Sequence, residues 1–428
     1  MQTKSKFKKS IMKKVLRNQN LWNRDFSLLT IGQIISIFGN MVLSFALPLY
    51  ILDISGSASL FGLTLSLPFI SLVVTSPIGG ILADRLKKQR IMFWLDLATT
   101  LIIVLYMAVS GLFTAIVPVV IVKLMALNAI QGMYMPAVQS SVPLLVPTAK
   151  LVPANAVVGL INTISSMAGM AIAGIVYATF GLFPILLVSA VCFAITAIMD
   201  LLIRVPYKKP DNSGSVFQIV KSDMSDATKF LLKEKPILSK QAVVVFFAQL
   251  SLMSMIMVGL PVLITQHLGF GMNYVGISQS IMMFGGIFGG ILAGTLGTRL
   301  SIEKVPLIII VCSLTVMPVG LVFLFEIPAF TAYIIITAVC VLTFCASQMA
   351  SILFMANIQE KTPVELIGKV MSFILIAPFV ASASGQFIYG VFFEQFKHLP
   401  WVVVFIAVAV SSMVALRSRK YFIQQSKK

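Results

Sequence analysis

The sequence predicts an all-α polytopic membrane protein: twelve transmembrane helices in two like groups of six. Three observations carry that prediction. Of 428 residues, 58% are apolar and only 11% charged, against ~25% charged in a typical water-soluble domain, and the mean hydropathy is +1.00. Long intervals lack Asp, Glu, Lys and Arg altogether, each long enough for the ~20 apolar residues that cross a bilayer core. Finally, with twelve spans, 30 of the 32 Lys and Arg fall on one side of the membrane.

The spans follow in order. Residues 26–52 and 54–83 hold one each. The segment Ile91–Val138 holds two, interrupted by Asp96 and Lys123. Residues 151–199 hold two more, turning near Phe180-Gly181-Leu182-Phe183-Pro184. Residues 241–298 hold another pair, breaking near His267-Leu268-Gly269-Phe270-Gly271. Residues 305–325, 327–359, 370–393 and 399–416 give one each. Helices this apolar lack the polar faces that a soluble core of such size requires.

The net charge of +18 then has a membrane explanation. Eight Lys and Arg precede residue 25, four lie in Arg85–Arg90, and eight lie between Arg204 and Lys240. Lys150, Arg299, Lys304, Lys361 and Lys369 join them, with five more from Arg417 onward. Only Lys397 lies opposite, and Lys123 is inside the membrane. The positive-inside rule places both termini in the cytoplasm of a multi-pass cell-membrane protein. Basic loops against anionic lipid account for the charge without nucleic acid. The division expected is a basic arm (1–25), a six-helix bundle (26–204), a cytoplasmic linker (205–240), a second bundle (241–416) and a tail (417–428). Met1–Trp22 precedes a span too long for a signal h-region, so no cleaved signal is read. Val216–Leu232 is a candidate surface amphipathic helix. Four cysteines in apolar stretches give no metal-ligand spacing and no disulfide scaffold.

The halves echo each other. GGILAD at 79–84 recurs as GGILAG at 289–294, and Leu47-Pro48 recurs as Leu260-Pro261. The offsets, 210 and 213, nearly agree. Each pair falls on the same ordinal helix of its half, which suggests two parallel six-helix repeats that rock around a site between them.

GGILADRLKKQR resembles the loop signature G-x-L-A-D-R-x-G-R-K of the major facilitator superfamily: Gly80, Leu82, Ala83, Asp84 and Arg85 match, and Lys88 keeps a charge. Lys87 replaces the usual glycine and Gln89 the final lysine. MPAVQSSVPLLVPTAKLVPANAV (135–157) and IQEKTPVELIGKVMSF (358–373) are similar to the drug–proton antiporter-3 branch, which includes macrolide-efflux-like exporters. Two motifs depart from the family. The fourth-span R-x-x-Q-G stands as Asn128-Ala129-Ile130-Gln131-Gly132, without its arginine. The fifth-span G-P-x-x-G-G stands as Gly169-Met170-Ala171-Ile172-Ala173-Gly174, without its proline. The resemblance implies a monomeric secondary transporter in a bacterial cell membrane, working by alternating access. It implies no cofactor, with a proton gradient as energy source. It also implies a conformational latch made by Gly80, Asp84, Arg85 and Lys88, with the eleventh span's start near Gly368 opposite Asp84.

The residues themselves add candidates. Gly79 and Gly80 would let a neighbouring helix approach closely. Asp84, just past the apolar run, can oppose a helix N-terminus. Asp96 lies six residues beyond Arg90, about 9 Å into the third span. It is either a protonation site or a partner of Arg85 or Lys88; Asp96 and Asp84 are the candidates for proton coupling. Lys123 either snorkels to the interface or stands in the cavity as a cation. Polar stripes run along single helix faces: Gln33, Ser36, Asn40 and Ser44; Asn155, Asn162 and Ser166; Ser382, Gln386 and Tyr389. Asn128 with Gln131, and Gln348 with Ser351, add shorter ones. Each stripe is either helix–helix glue or cavity lining. Gln33, Ser36, Asn40, Lys123, Asn128, Gln131, Asn162, Gln348 and Gln386 form the candidate substrate cavity.

Three function classes compete. An exporter of hydrophobic or amphiphilic small molecules, driven by proton exchange, leads. A transporter of lipid, lysolipid, siderophore or another metabolite uses the same scaffold. A membrane enzyme is disfavoured: both histidines, His267 and His398, lie in loops, and no H-E-x-x-H or G-x-S-x-G motif appears.

Overall fold

The computed structural model describes residues 21–109, 116–147, 150–207, 225, 228–296 and 302–423. Most of the basic arm, most of Val216–Leu232 and the last residues of the tail lie outside them. Among the described residues, twelve helices are long and apolar enough to cross a membrane. They are α1 (Arg24–Ser55), α2 (Ala58–Arg85), α3 (Lys88–Val109), α4 (Ile116–Leu145), α5 (Leu151–Phe180) and α6 (Leu182–Leu202). There follow α7 (Pro236–His267), α8 (Met272–Leu296), α9 (Val305–Leu324), α10 (Ala329–Lys361), α11 (Val364–Gln395) and α12 (Pro400–Ile423). Wide π-turns at Gln249–Met253 and Leu263–His267 interrupt α7.

Helices overrun the charge-free intervals that announce them. α1 takes in Asp25 and Asp53, α6 takes in Asp200, and α12 continues through Arg417, Arg419 and Lys420. Backbone hydrogen bonding does not stop where hydrocarbon ends; only the side chains must change. Termination is local and chemical. Pro328 and Pro363 cap α10 and α11, and Pro236 opens α7. Asn23 caps α1 by accepting from the Phe26 amide at 2.9 Å, and its amide donates to the last carbonyl of α4, Leu145, at 2.7 Å.

Both turns expected inside long apolar stretches rest on a glycine at positive φ: Gly181 at φ 73° and Gly269 at φ 72°. A Cβ meets no neighbouring atom at either position, so only the backbone conformation resists substitution. Gly269→Ala should lower stability by about 1 kcal/mol, and Gly181→Ala by about 1–3 kcal/mol, because φ 73° with ψ −163° is a conformation essentially reserved for glycine; both are read as falls in the thermal midpoint of detergent-solubilised protein.

The chain forms two compact units, which part inside the central linker, between 213 and 214, and also within α1, α2 and α5. The first comprises 1–45, 71–173 and 180–213; the second comprises 46–70, 174–179 and 214–428. Within the first, α3 lies along α6, and Phe26, Leu29, Met92, Tyr134, Ala137, Val142 and Ile203 belong to one buried apolar cluster. Within the second, α9 lies along α12 and α8 along α10. Val244, Val305, Ile308 and Phe422 pack together there.

The two sequence echoes have matching roles. Pro48 and Pro261 each lie inside the first helix of their half. A Cβ on Gly79 would stand 2.5 Å from the Met133 Cα of α4, and a Cβ on Gly289 would strike the Cys345 carbonyl of α10. Second and fourth helices therefore touch backbone to backbone in both halves, as small residues permit. Gly80 differs from expectation: nothing lies within 4 Å of its Cβ position, and its counterpart Gly290 meets only Ile352 Cδ1 at 3.9 Å. One glycine of each repeat makes the close approach, and its neighbour, rotated ~100° around the helix, does not.

Candidate functional site

The first unit gathers polar side chains where α1, α3, α4 and α6 converge. Gln33, Ser36, Asp96, Tyr134, Thr196 and Asp200 are all buried. Gln33 Nε2 donates to the Tyr134 hydroxyl at 3.1 Å, and Ser36 hydrogen-bonds the same phenol. Tyr134 lies within electrostatic reach of both Asp96 and Asp200. Asp96 hydrogen-bonds Thr196 and stands beside Asp200. Among the described residues, the Oδ2 atoms of both aspartates have no hydrogen-bond partner. Asp96 forms no ion pair with Arg85 or Lys88 among the described residues; Lys88 Nζ donates to the Ala83 carbonyl at 2.8 Å instead. The Arg85 carbonyl accepts from Tyr207 at 2.8 Å. The side chain of Asp84 and the backbone environment of Gly368 that the latch requires lie outside the described residues.

Lys123 takes neither position considered for it. It is 4% exposed, with its ammonium 3.9 Å from the centroid of the Tyr106 ring on α3. The ring's negative face offsets part of the desolvation, and Nζ has no hydrogen-bond acceptor. The ammonium is thus enclosed at the α3–α4 contact, neither snorkelling outward nor standing in open space.

The polar stripes divide. Gln33 and Ser36 join the buried cluster, whereas Asn40 accepts from Ser44 at 3.4 Å. Asn128, Asn155 and Asn162 turn their amides onto carbonyls four residues back: Leu124, Leu151 and Val158. Gln131 is half-buried and Gln348 exposed. On α11, Ser382 accepts from Gln249 at 3.2 Å, and Gln386 is buried with Oε1 unpartnered.

A second constellation lies wholly in the second unit, at the ends of spans remote from the basic loops. Glu394 Oε2 accepts from Ser57 Oγ at 2.9 Å and from the Ser59 amide at 3.3 Å, at the first turn of α2. An acid there opposes the positive end of the helix dipole. Gly62 and Gly390 bring α2 and α11 into backbone contact: a Cβ on Gly62 would lie 2.9 Å from the Gly390 Cα. Gly174 and Gly276 do the same for α5 and α8, again at 2.9 Å. Tyr177 donates to Asp53 at 2.8 Å, and Gln266 donates to the Gly56 carbonyl at 3.0 Å. These contacts clasp segments 46–70 and 174–179 to the C-terminal helices. Glycines of the proline-less fifth-span motif take part: Gly174 in the clasp, and Gly169 against Met41 in the first unit.

Sequence reading missed Asp200, Tyr134, Thr196, Gln249 and Glu394. Asp200 and Glu394 stand at the ends of charge-free intervals, where an acid reads as a boundary. A search for acids within one helical turn of a span's end would have found both.

Among the described residues, twelve span-length helices, a buried polar cluster and glycine-mediated helix contacts define a polytopic helical membrane fold. The chain belongs to the major facilitator superfamily, whose sequence profile, "Major Facilitator Superfamily", matches residues 29–386. Macrolide efflux protein A of Streptococcus pyogenes is 22% identical over 365 residues, covering 83% of this chain and 86% of that protein. The uncharacterized MFS-type transporter YfiS of Bacillus subtilis (strain 168) is 27% identical over 141 residues, covering 33% of this chain and 32% of that one. Among solved structures, nucleoside transporter NupG has a TM-score of 0.74 at 14% identity, covering 93% of this chain and 99% of that one. The POT family transporter PepTSo has a TM-score of 0.72 at 12% identity, covering 96% and 99%. These structures establish the shared fold.

Proposed function

We propose that the protein exports hydrophobic or amphiphilic small molecules of macrolide type across a bacterial cell membrane by alternating access, in exchange for protons. The observation that carries the reading is the likeness to Macrolide efflux protein A along most of both chains. The basic ends of the spans face the cytoplasm, where 30 of 32 Lys and Arg lie. Alternating access is supported by the clasp: segments 46–70 and 174–179 pack with the C-terminal helices, while the rest of α1, α2 and α5 belongs to the first unit. Helices shared in this way can trade partners at one end while keeping them at the other. Asp96 is the carboxylate for proton exchange, because a buried intramembrane acid without a counter-cation is costly unless it titrates. The chain works as a monomer and needs no cofactor beyond the gradient.

Radiolabelled macrolide flux in proteoliposomes tests this. An imposed pH gradient, acid on the outer side, should drive labelled macrolide uphill, and collapsing the gradient with a protonophore should abolish accumulation. Flux indifferent to the protonophore removes proton exchange; no macrolide flux, with lysolipid or siderophore flux instead, replaces the substrate class.

A further inference from the structure

The α3–α6 interface of the first unit buries two carboxylates where its counterpart in the second unit buries two hydroxyls. Asp96 lies eight residues into α3, and Ser313 lies eight residues into α9. Ser313 and Ser411 satisfy each other across α9 and α12 at 2.7 Å, both fully buried. Helix–helix glue needs nothing more. Asp96 and Asp200 cannot satisfy each other as two carboxylates, since an ionised carboxylate only accepts. Both are 2% exposed, they lie within electrostatic reach of each other, and each leaves one oxygen unpartnered.

Among the described residues, no cation is paired with either aspartate. Lys88 on α3 is engaged by the Ala83 carbonyl, and Arg90 is exposed. Lys123 on α4 lies over Tyr106, which is ten residues, or ~15 Å, along α3 from Asp96. Arg85, at the end of α2, and Arg204, just past α6, are exposed; the amide of Arg204 meets Asp25 of α1. The groups facing the pair are neutral: Tyr134 from α4, itself held by Gln33 and Ser36 of α1, and Thr196 from α6. Two nearby buried charges of one sign, with no counter-charge among the described residues, are strongly disfavoured by desolvation. A single shared proton converts that repulsion into attraction.

We propose that Asp96 and Asp200 form a proton-binding site that holds one exchangeable proton between them. Its place as the coupling site rests on the proton-exchange reading above. Thr196 suits the task. Its one hydroxyl proton lies within reach of the Phe193 carbonyl, at 3.0 Å, and of Asp96. With the proton shared between the two carboxyl groups, Thr196 keeps its donation to the Phe193 carbonyl. When the proton leaves for water, the hydroxyl turns to the carboxylate. Tyr134 sees the change in charge and passes it through Gln33 to α1, the helix whose other end belongs to the clasped unit.

The test uses the full chain in lipid, with two readouts. Infrared difference spectra across pH should show a protonated-carboxyl C=O band at neutral pH that titrates away in alkali. Asp96→Asn with Asp200→Asn together should abolish the band. Either single substitution, nearly isosteric and removing a buried charge, should leave folded protein, read as an unchanged monodisperse elution profile in detergent. Each single variant should lose gradient-driven accumulation by about tenfold or more. A wild-type protein without the band, or a double variant that keeps it, overturns the proton site. Single variants that accumulate macrolide like wild type overturn its coupling role. If wild-type flux ignores the gradient, the exchange reading fails, and the band decides the proton site by itself.

Discussion

Tethering residue 57 to residue 394 should stop transport, and cutting the tether should restore it. Ser57 and Glu394 meet at 2.9 Å between side-chain oxygens, at the first turn of α2 and the last turn of α11. The glutamate arm holds the two Cβ atoms farther apart than the ~3.8 Å of a disulfide. Ser57→Cys and Glu394→Cys should therefore be joined by a short bifunctional thiosulfonate, in a background cleared of Cys192, Cys312, Cys340 and Cys345. The bond falls where α2 and α11 already touch through Gly62 and Gly390, so tethering freezes an arrangement the protein adopts by itself. Alternating access requires α2 to leave α11 at this end in every cycle. Labelled-macrolide flux should drop to the level of empty liposomes and recover on reduction, with either single cysteine unaffected by reagent. Flux that persists through a quantitatively tethered pair is incompatible with a moving clasp.

The sequence disclosed the spans and their pairing more readily than the site, and the reason is physical. A bilayer imposes one constraint on every residue of a span, so charge-free length and one-sided Lys and Arg are redundant signals, repeated twelve times. Turns were legible for the same reason: Gly181 and Gly269 punctuate apolar runs, and both adopt positive φ. The polar stripes carried no comparable redundancy. Asn40 and Ser44 satisfy each other, Asn128 and Asn162 satisfy their own helix, and Gln33 crosses to Tyr134, yet all five share one helical spacing rule. Spacing fixes the face; it does not fix whether the face meets a helix or a hollow. Asp200 was hidden by its position two residues from the end of α6, where an acid is ordinarily a solvated boundary. Its burial comes from α3, which sequence proximity cannot reveal.

The glycine words of the repeat separate packing from patterning most sharply. Gly79 and Gly80 are adjacent and chemically identical, yet only Gly79 lies against α4. Its Cβ position is 2.5 Å from the Met133 Cα and 2.8 Å from the Gly132 carbonyl, and these are backbone atoms that yield only if the helices part. Helix parting in a membrane forfeits the van der Waals contacts that hold spans together, because lipid gives no hydrophobic drive to restore them. Gly79→Ala should therefore cost about 1–3 kcal/mol, the range for overpacking a tight interface. Gly289→Ala, against the Cys345 carbonyl, should match it. Gly80→Ala and Gly290→Ala place a methyl in open space or in ordinary contact with Ile352, and alanine is the better helix former by about 1 kcal/mol. Their thermal midpoints should equal or exceed wild type, while those of Gly79→Ala and Gly289→Ala fall together. Four variants melting alike would mean that the second and fourth helices of the two halves do not share this contact. The repeat would then be a coincidence of apolar words rather than a repeated mode of packing.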